Sequence, residues 1–329
     1  MKKYLLGLGV LLSVVLLSAC GDSNANNGKN NDGKIKAIVT FYPMYEFTKE
    51  VVGDEGSVEL LIPAGTEPHD YEPSAKDIAK ISEADAFVYN SEEMETWVDK
   101  IADNIDDKKT KMIEAADEID LLEATSDGHD HAHHDSDSDT HDSDSDEHDH
   151  EEDHAHSKDP HVWTDPVMAV KEVKEIQKEL SEKYPAKKAQ FEKNANTYIA
   201  KLNELDQEYK TAFANAKNKT FVVQHAAFGY LANQYGLTQE SISGISPDQE
   251  PSPSRLAQLK HFVEDHGTKV IYFEENANSK VAETLAKETG VKMAVLNPLE
   301  SLTQKQMDDG ETYLTVMQQN LQALQESIK

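Results

Sequence analysis

Cysteine is almost absent from this chain: Cys20 is the only one in 329 residues. That excludes a disulfide framework within the chain and any cage of thiolates, so a metal here must be held by His, Asp or Glu. Basic residues are scarce as well, with 32 Lys and Arg against 62 Asp and Glu and a formal charge of −30. A surface of that sign argues against nucleic acid as a partner and attracts cations without selecting one. The long apolar run is confined to Tyr4–Leu17, short of the roughly twenty residues that a membrane-spanning helix needs.

What is present begins with that N-terminus. Lys2 and Lys3 precede the apolar run, and Leu17-Ser18-Ala19-Cys20 supplies small residues before the lone cysteine. The pattern reads as an export signal over residues 1–19 and resembles a bacterial lipobox, which implies cleavage before Cys20 and lipidation of its thiol. Residues 20–34 then read as a lipidated Cys and a polar, Gly- and Asn-rich tether. With no second apolar span after it, the body is expected to be anchored to the outer face of a membrane without crossing it.

Nine of the 14 histidines fall between His129 and His156, among Asp, Glu and Ser, with no Lys, Arg or Pro and nothing apolar larger than Ala. Such a segment cannot bury a core and is expected to form a disordered loop over residues 125–158. Imidazoles one to three residues apart among carboxylates make a flexible chelator for borderline divalent ions such as zinc. The competing reading is a solvated acidic linker.

On either side of this loop, short apolar runs alternate with helical patterns. Strands are expected over 36–41, 57–62, 86–90, 111–115, 220–224, 269–273 and 291–296. Helices are expected over 44–52, 74–82, 94–101, 225–235, 254–266, 279–288 and 303–328, with another beginning near Pro166. Alternation of this kind indicates an α/β fold with parallel sheets covered on both faces. Two such halves predict two lobes, residues 35–185 and 218–329. Between them, 186–213 lacks Gly and Pro, and Phe191, Ala195, Tyr198, Leu202, Leu205, Tyr209 and Ala212 recur at steps of three and four. That is one apolar stripe on a helix roughly 40 Å long, assigned with its exit to 186–217 as the link between lobes. A coiled-coil dimer is the alternative, but no zipper-like Leu series accompanies the stripe.

Five histidines lie outside the acidic loop. His261 and His266 occupy a helical run, His266 just before Gly267, where the helix dipole favours a histidine without any metal. His69 lies in PAGTEPHDYEPS after a strand, His161 in DPHVWTDP before a helix, and His225 at the end of the strand TFVVQ. All three sit at loop edges of the kind that line the ligand crevice of open α/β sheets.

The segments TFYPMYEFTKEV, IPAGTEPHDYEPS, KDPHVWTDP, QHAAFGYLANQYGL, GISPDQEPS, VIYFEENANSKVAETLA and LNPLESL resemble those of the zinc-binding lipoproteins of bacterial ABC importers, the ZnuA/AdcA type of solute-binding protein. The resemblance covers essentially the whole mature chain and includes a His-rich acidic insertion before DPHVW. It implies two α/β lobes joined by a rigid helix, with the metal in the cleft between them. Carried over, it assigns His69, His161 and His225 as imidazole ligands and Glu300 as the carboxylate. Glu67 is the substitute for Glu300, and Glu274 and Glu275 are expected to support the ligands or the fold. Three imidazoles and one carboxylate suit tetrahedral Zn(II), which is the transported ion in this reading. Related manganese binders replace the third imidazole by a carboxylate, which makes His225 the discriminating residue.

The function expected from the resemblance is capture of zinc outside the membrane by a monomer and delivery to a permease driven by a cytoplasmic ATPase. Two alternatives come from other classes. A zinc-dependent hydrolase would keep a water on the metal, but no HExxH motif occurs outside the His-rich loop and Glu300 would fill the fourth position. A surface adhesin that also binds metal has no support here beyond its surface location.

Overall fold

Within both sheets every strand pairing is parallel, because a helix or a loop returns the chain to the same end of the sheet between paired strands. The protein's structure, a computed structural model, describes residues 33–124 and 158–329. The export signal, Cys20, most of the tether and the His-rich segment 125–157 lie outside the described residues. Lys34–Lys329 form one compact unit.

The first sheet holds β1 (Ile35–Val39), β2 (Gly56–Leu60), β3 (Ala86–Tyr89) and β4 (Lys111–Glu114), in the order β2-β1-β3-β4. The second holds β5 (Thr220–Val223), β6 (Thr238–Ser241), β7 (Val270–Phe273) and β8 (Lys292–Val295), in the order β6-β5-β7-β8. The two sheets therefore repeat one topology. The helices are α1 (Tyr42–Val52), α2 (Ala75–Glu83), α3 (Val98–Ala102), α4 (Pro166–Lys183), α5 (Lys188–Phe213), α6 (Gly229–Tyr235), α7 (Pro253–Asp265), α8 (Lys280–Thr289), α9 (Gln304–Asp308) and α10 (Tyr313–Leu324).

Alternation along the strands decides how the layers pack. Ala37, Val39, Ala86 and Val88 point to one face of the first sheet, and Phe221, Val223, Val270 and Tyr272 to one face of the second. These two inner faces join a single core with α1, α4, α5 and α10. The opposite faces, Ile38 and Phe87 in one sheet and Val222 and Ile271 in the other, pack under separate outer helices. The lobes thus share their interior, and α5 runs through it.

The 26-residue α5 buries Phe191, Ala195, Tyr198, Leu202, Leu205 and Tyr209, as the stripe predicts. Phe213 completes it instead of Ala212, which is half-buried. Helix starts follow local chemistry. Asp165 caps α4 by accepting from Val167 N at 2.9 Å, with Pro166 at the first position. Ser74 and Asp77 form a reciprocal capping box on α2.

Three expectations are corrected. The strand β6, Thr-Gln-Glu-Ser, was not expected, because it is polar and carries no apolar run. The helix expected over 303–328 is two helices, broken at Gly310 with φ +79°. The helix expected from His225 starts at Gly229, because Ala226 N is drawn instead to Gly244 O at 2.9 Å.

Candidate metal centre

The carboxyl ends of both sheets meet around one cluster. His69 comes from the loop after β2, His161 from the turn that leads into α4, His225 from the end of β5 and Glu300 from the loop after β8. Their donor atoms all lie within 4.8 Å of one another. Glu300 Oε1 is 3.2 Å from His69 Nε2, 3.1 Å from His161 Nε2 and 3.0 Å from His225 Nε2. His161 Nε2 is 3.2 Å from His69 Nε2 and 3.4 Å from His225 Nε2.

Those five separations have a chemical meaning. A tetrahedron whose bonds to a central zinc are about 2.0–2.1 Å long has edges of about 3.3 Å. Three imidazoles and a carboxylate oxygen packed this way match that polyhedron, and their mixed nitrogen and oxygen donors suit a borderline ion. His161, His225 and Glu300 are buried, and His69 nearly so, with a side chain 9 % exposed. The cavity beside Glu300 measures only about 20 Å³, room for a water or a bare ion but for no organic ligand.

Behind two of the histidines stands a further carboxylate. His161 Nδ1 lies 2.7 Å from Asp159 Oδ1, and His225 Nδ1 lies 2.5 Å from Glu274 Oε1. A carboxylate on Nδ1 fixes the ring so that Nε2 faces the metal, and it raises the basicity of that nitrogen. Asp159 is itself pinned: its Oδ1 accepts His161 N, and Tyr230 Oη donates to its carbonyl. Gly229 makes room for it, since a Cβ there would stand 2.6 Å from Asp159 Oδ2. Glu274 N donates to Gln224 Oε1, whose amide in turn donates to Asn278 O.

Electrostatics follow the same division. Burial pulls His69 below the ordinary imidazole value, and its contact with Glu300 only partly offsets this. Burial also opposes charge on His161 and His225. There the added carboxylates win, holding His161 above the usual value and His225 well above it. Glu300 is driven the other way: burial would raise it, but the charge of His225 and hydrogen bonds from the three rings hold it well below the carboxylate range.

The other expected residues fall elsewhere. Glu67 lies beside the cluster without joining it. Its Oε1 accepts His69 N at 3.1 Å, and burial together with repulsion from Glu300 pushes its carboxyl up to about 8. Glu275 is exposed and takes a hydrogen bond from Gln306. His261 is exposed on α7 and His266 just past its end, stacked on Phe262 with ring centroids 4.0 Å apart. Asp159 is the functional residue that the sequence reading did not single out. A carboxylate two residues ahead of a ligand histidine, in Asp-Pro-His, was the available signal.

Comparison with known proteins agrees with this geometry. The family described as "ZnuA: Zinc-uptake complex component A periplasmic" matches residues 38–327. The zinc-binding lipoprotein AdcA of Streptococcus pneumoniae is 51% identical over 333 residues, covering 99% of this chain, which spans 61% of AdcA's own length. The high-affinity zinc uptake system protein ZnuA of Bacillus subtilis is 49% identical over 330 residues, covering 100% of this chain and 99% of that protein. Among solved structures, the Zn(II)-bound ZnuA-like domain of Streptococcus pneumoniae AdcA superposes with a TM-score of 0.74 at 50% identity, covering 90% of this chain and 99% of that one. A match across almost the entire described body, around a cluster of this composition, leaves one conclusion: the chain belongs to the ZnuA family of zinc-uptake components.

Proposed function

We propose that this protein is the extracytoplasmic zinc-binding component of an ABC importer. It captures Zn(II) through His69, His161, His225 and Glu300 and delivers it to a membrane permease powered by a cytoplasmic ATPase. In this reading residues 35–185 and 218–329 act as two lobes linked by 186–217, the chain works as a monomer, and a lipid on Cys20 holds it at the membrane. The segment 125–158 raises local zinc and passes ions to the cleft at lower affinity.

The observation that carries the reading is the set of donor separations of 3.0–3.4 Å, which fit a closed tetrahedral zinc shell. A closed shell favours a carrier over a hydrolase, because no metal position is left to activate water. The deciding experiment is metal content and stoichiometry of the purified protein. One tight zinc per chain is expected, lost in His225→Ala and kept when residues 128–156 are deleted. Zinc turnover of an ester abolished by His225→Ala would reverse the assignment in favour of an enzyme.

A further inference from the structure

The two lobes cannot swing apart easily, because their inner faces share one core. Phe47 of α1 packs edge-on to Tyr313 of α10 at 5.0 Å between ring centroids and also touches Tyr198 of α5. Opening the cleft by hinge motion would expose those rings to water, a large hydrophobic loss. Access to the cluster must therefore come from loops.

One wall of the cluster is fixed. Trp163 Nε1 donates to Pro298 O at 2.7 Å, Tyr313 Oη to Trp163 O at 2.7 Å and Thr164 Oγ1 to Ala227 O at 3.0 Å, all buried. These bonds clamp the His161 segment against the second lobe, and Glu274 holds His225. The other wall is different. Among the described residues no carboxylate stands behind His69 Nδ1, and its ring is the most exposed of the three. The loop that carries it is tied to the second lobe at its exposed edge by Gly65 N, which donates to Ser301 Oγ at 2.6 Å and to Leu302 O at 3.1 Å.

That tie lies beside a small cavity next to Glu300, bordered by Thr66, Glu67 and Ser301. Both of its partners are set up by backbone. Gly65 has φ +74° with nothing within 4 Å of where a Cβ would be, so glycine serves the turn and not the space. On the other side, Leu299 is the one non-glycine residue at positive φ among those described, at 64° and fully buried. A leucine in that region is strained and persists only where its surroundings hold it. Asn297 Oδ1 accepts Leu299 N at 2.7 Å, and Asn320 Oδ1 accepts Asn297 N at 2.9 Å.

We propose that the Gly65–Ser301 hydrogen bond is a latch joining the His69 loop to the Glu300 loop, and that Ser301 sets the rate at which the cation leaves. Ser301 is a positioning residue: it acts through the two ligand loops and does not touch the ion. The His69 loop is the flap, and His161 and His225 form the fixed floor. The inference rests on the zinc reading above and adds the route of exit.

The test uses the full zinc-loaded chain mixed rapidly with excess chelator, beside hydrogen exchange of the Gly65 amide. Ser301→Ala should release zinc roughly fivefold faster, the effect of losing one ordinary hydrogen bond, while still holding one zinc per chain. Its Gly65 amide should exchange faster, with the Ala226 amide on the fixed side unchanged. Ser301→Thr keeps the hydroxyl and should restore both. Unchanged release and unchanged Gly65 exchange in Ser301→Ala would overturn the latch, as would a Ser301→Thr variant as fast as the alanine. If the parent zinc reading fails, wild-type protein holds no His225-dependent zinc, and the Gly65 exchange still decides the latch on its own.

Discussion

His225 Nδ1 lies 2.5 Å from Glu274 Oε1, while His225 Nε2 lies 3.0 Å from Glu300. One ring is therefore held between two carboxylates, Glu274 on Nδ1 and Glu300 on Nε2. Removing the orienting charge should matter even though Glu274 is not a ligand. Glu274→Gln is expected to weaken zinc binding by roughly ten- to a hundredfold, read by chelator competition, with the stoichiometry kept at one. Asp159→Asn should do the same through His161. Wild-type affinity in both variants would show that the outer carboxylates play no part in holding metal.

Gly229 offers an independent check from the second lobe. A methyl group there would meet Asp159 Oδ2 at 2.6 Å and push that carboxylate off His161. Gly229→Ala is expected to weaken zinc binding by the same route as Asp159→Asn. The double variant should then be little worse than either single one, because both act on one contact. Fully additive losses would place the effect of Gly229 elsewhere.

Proton release should accompany metal binding. His161 and His225 are held above the usual imidazole value, which favours their protonated forms, so zinc competes with protons for both rings. Affinity is expected to fall as pH drops towards 5, and the calorimetric heat of binding at pH 7 should vary with the ionisation heat of the buffer. A buffer-independent heat, or equal affinity at pH 5 and 7.5, would contradict this.

Stability without metal should carry its own pH signature. Glu172 is fully buried on α4, neither of its carboxylate oxygens has a partner among the described residues, and burial with repulsion from Glu95 and Asp165 holds its pKa well above the usual value. A carboxyl raised in the folded state contributes stability that is complete below its unfolded pKa and lost as pH rises through the folded one. Glu172→Met should therefore stabilise the zinc-free protein at pH 8 by about 1–3 kcal/mol. In melting curves across pH the advantage should shrink towards pH 5. A variant less stable than wild type at pH 8 would mean that Glu172 has a partner in solution.

Much of this molecule was legible in one dimension. Near-continuous apolar runs such as IKAIV and TFVV mark strands because both faces of a parallel sheet are covered, and the stripe from Phe191 to Tyr209 marks α5 because a helix at a shared core must bury one side. Pro166 and Gly267 announced an end of α4 and of α7 through backbone geometry. His69, His161, His225 and Glu300 were nominated by motif before any distance was known.

Local pattern could not decide what depends on partners distant in sequence. The polar edge strand β6 forms because β5 offers it a ladder, not because Thr-Gln-Glu-Ser prefers to extend. Composition does not separate Glu300 from Glu67: both are loop glutamates, and only the approach of three rings holds one well below the carboxylate range while burial and its neighbour lift the other to about 8. Glu274 acquires its role the same way, from a contact across 49 residues of chain, whereas Asp159 sits two residues from His161 and its signal was local. Burial periodicity is written in short stretches and survives as sequence. Charge state and metal geometry are set by which groups end within a few ångströms, and only the folded chain brings them there.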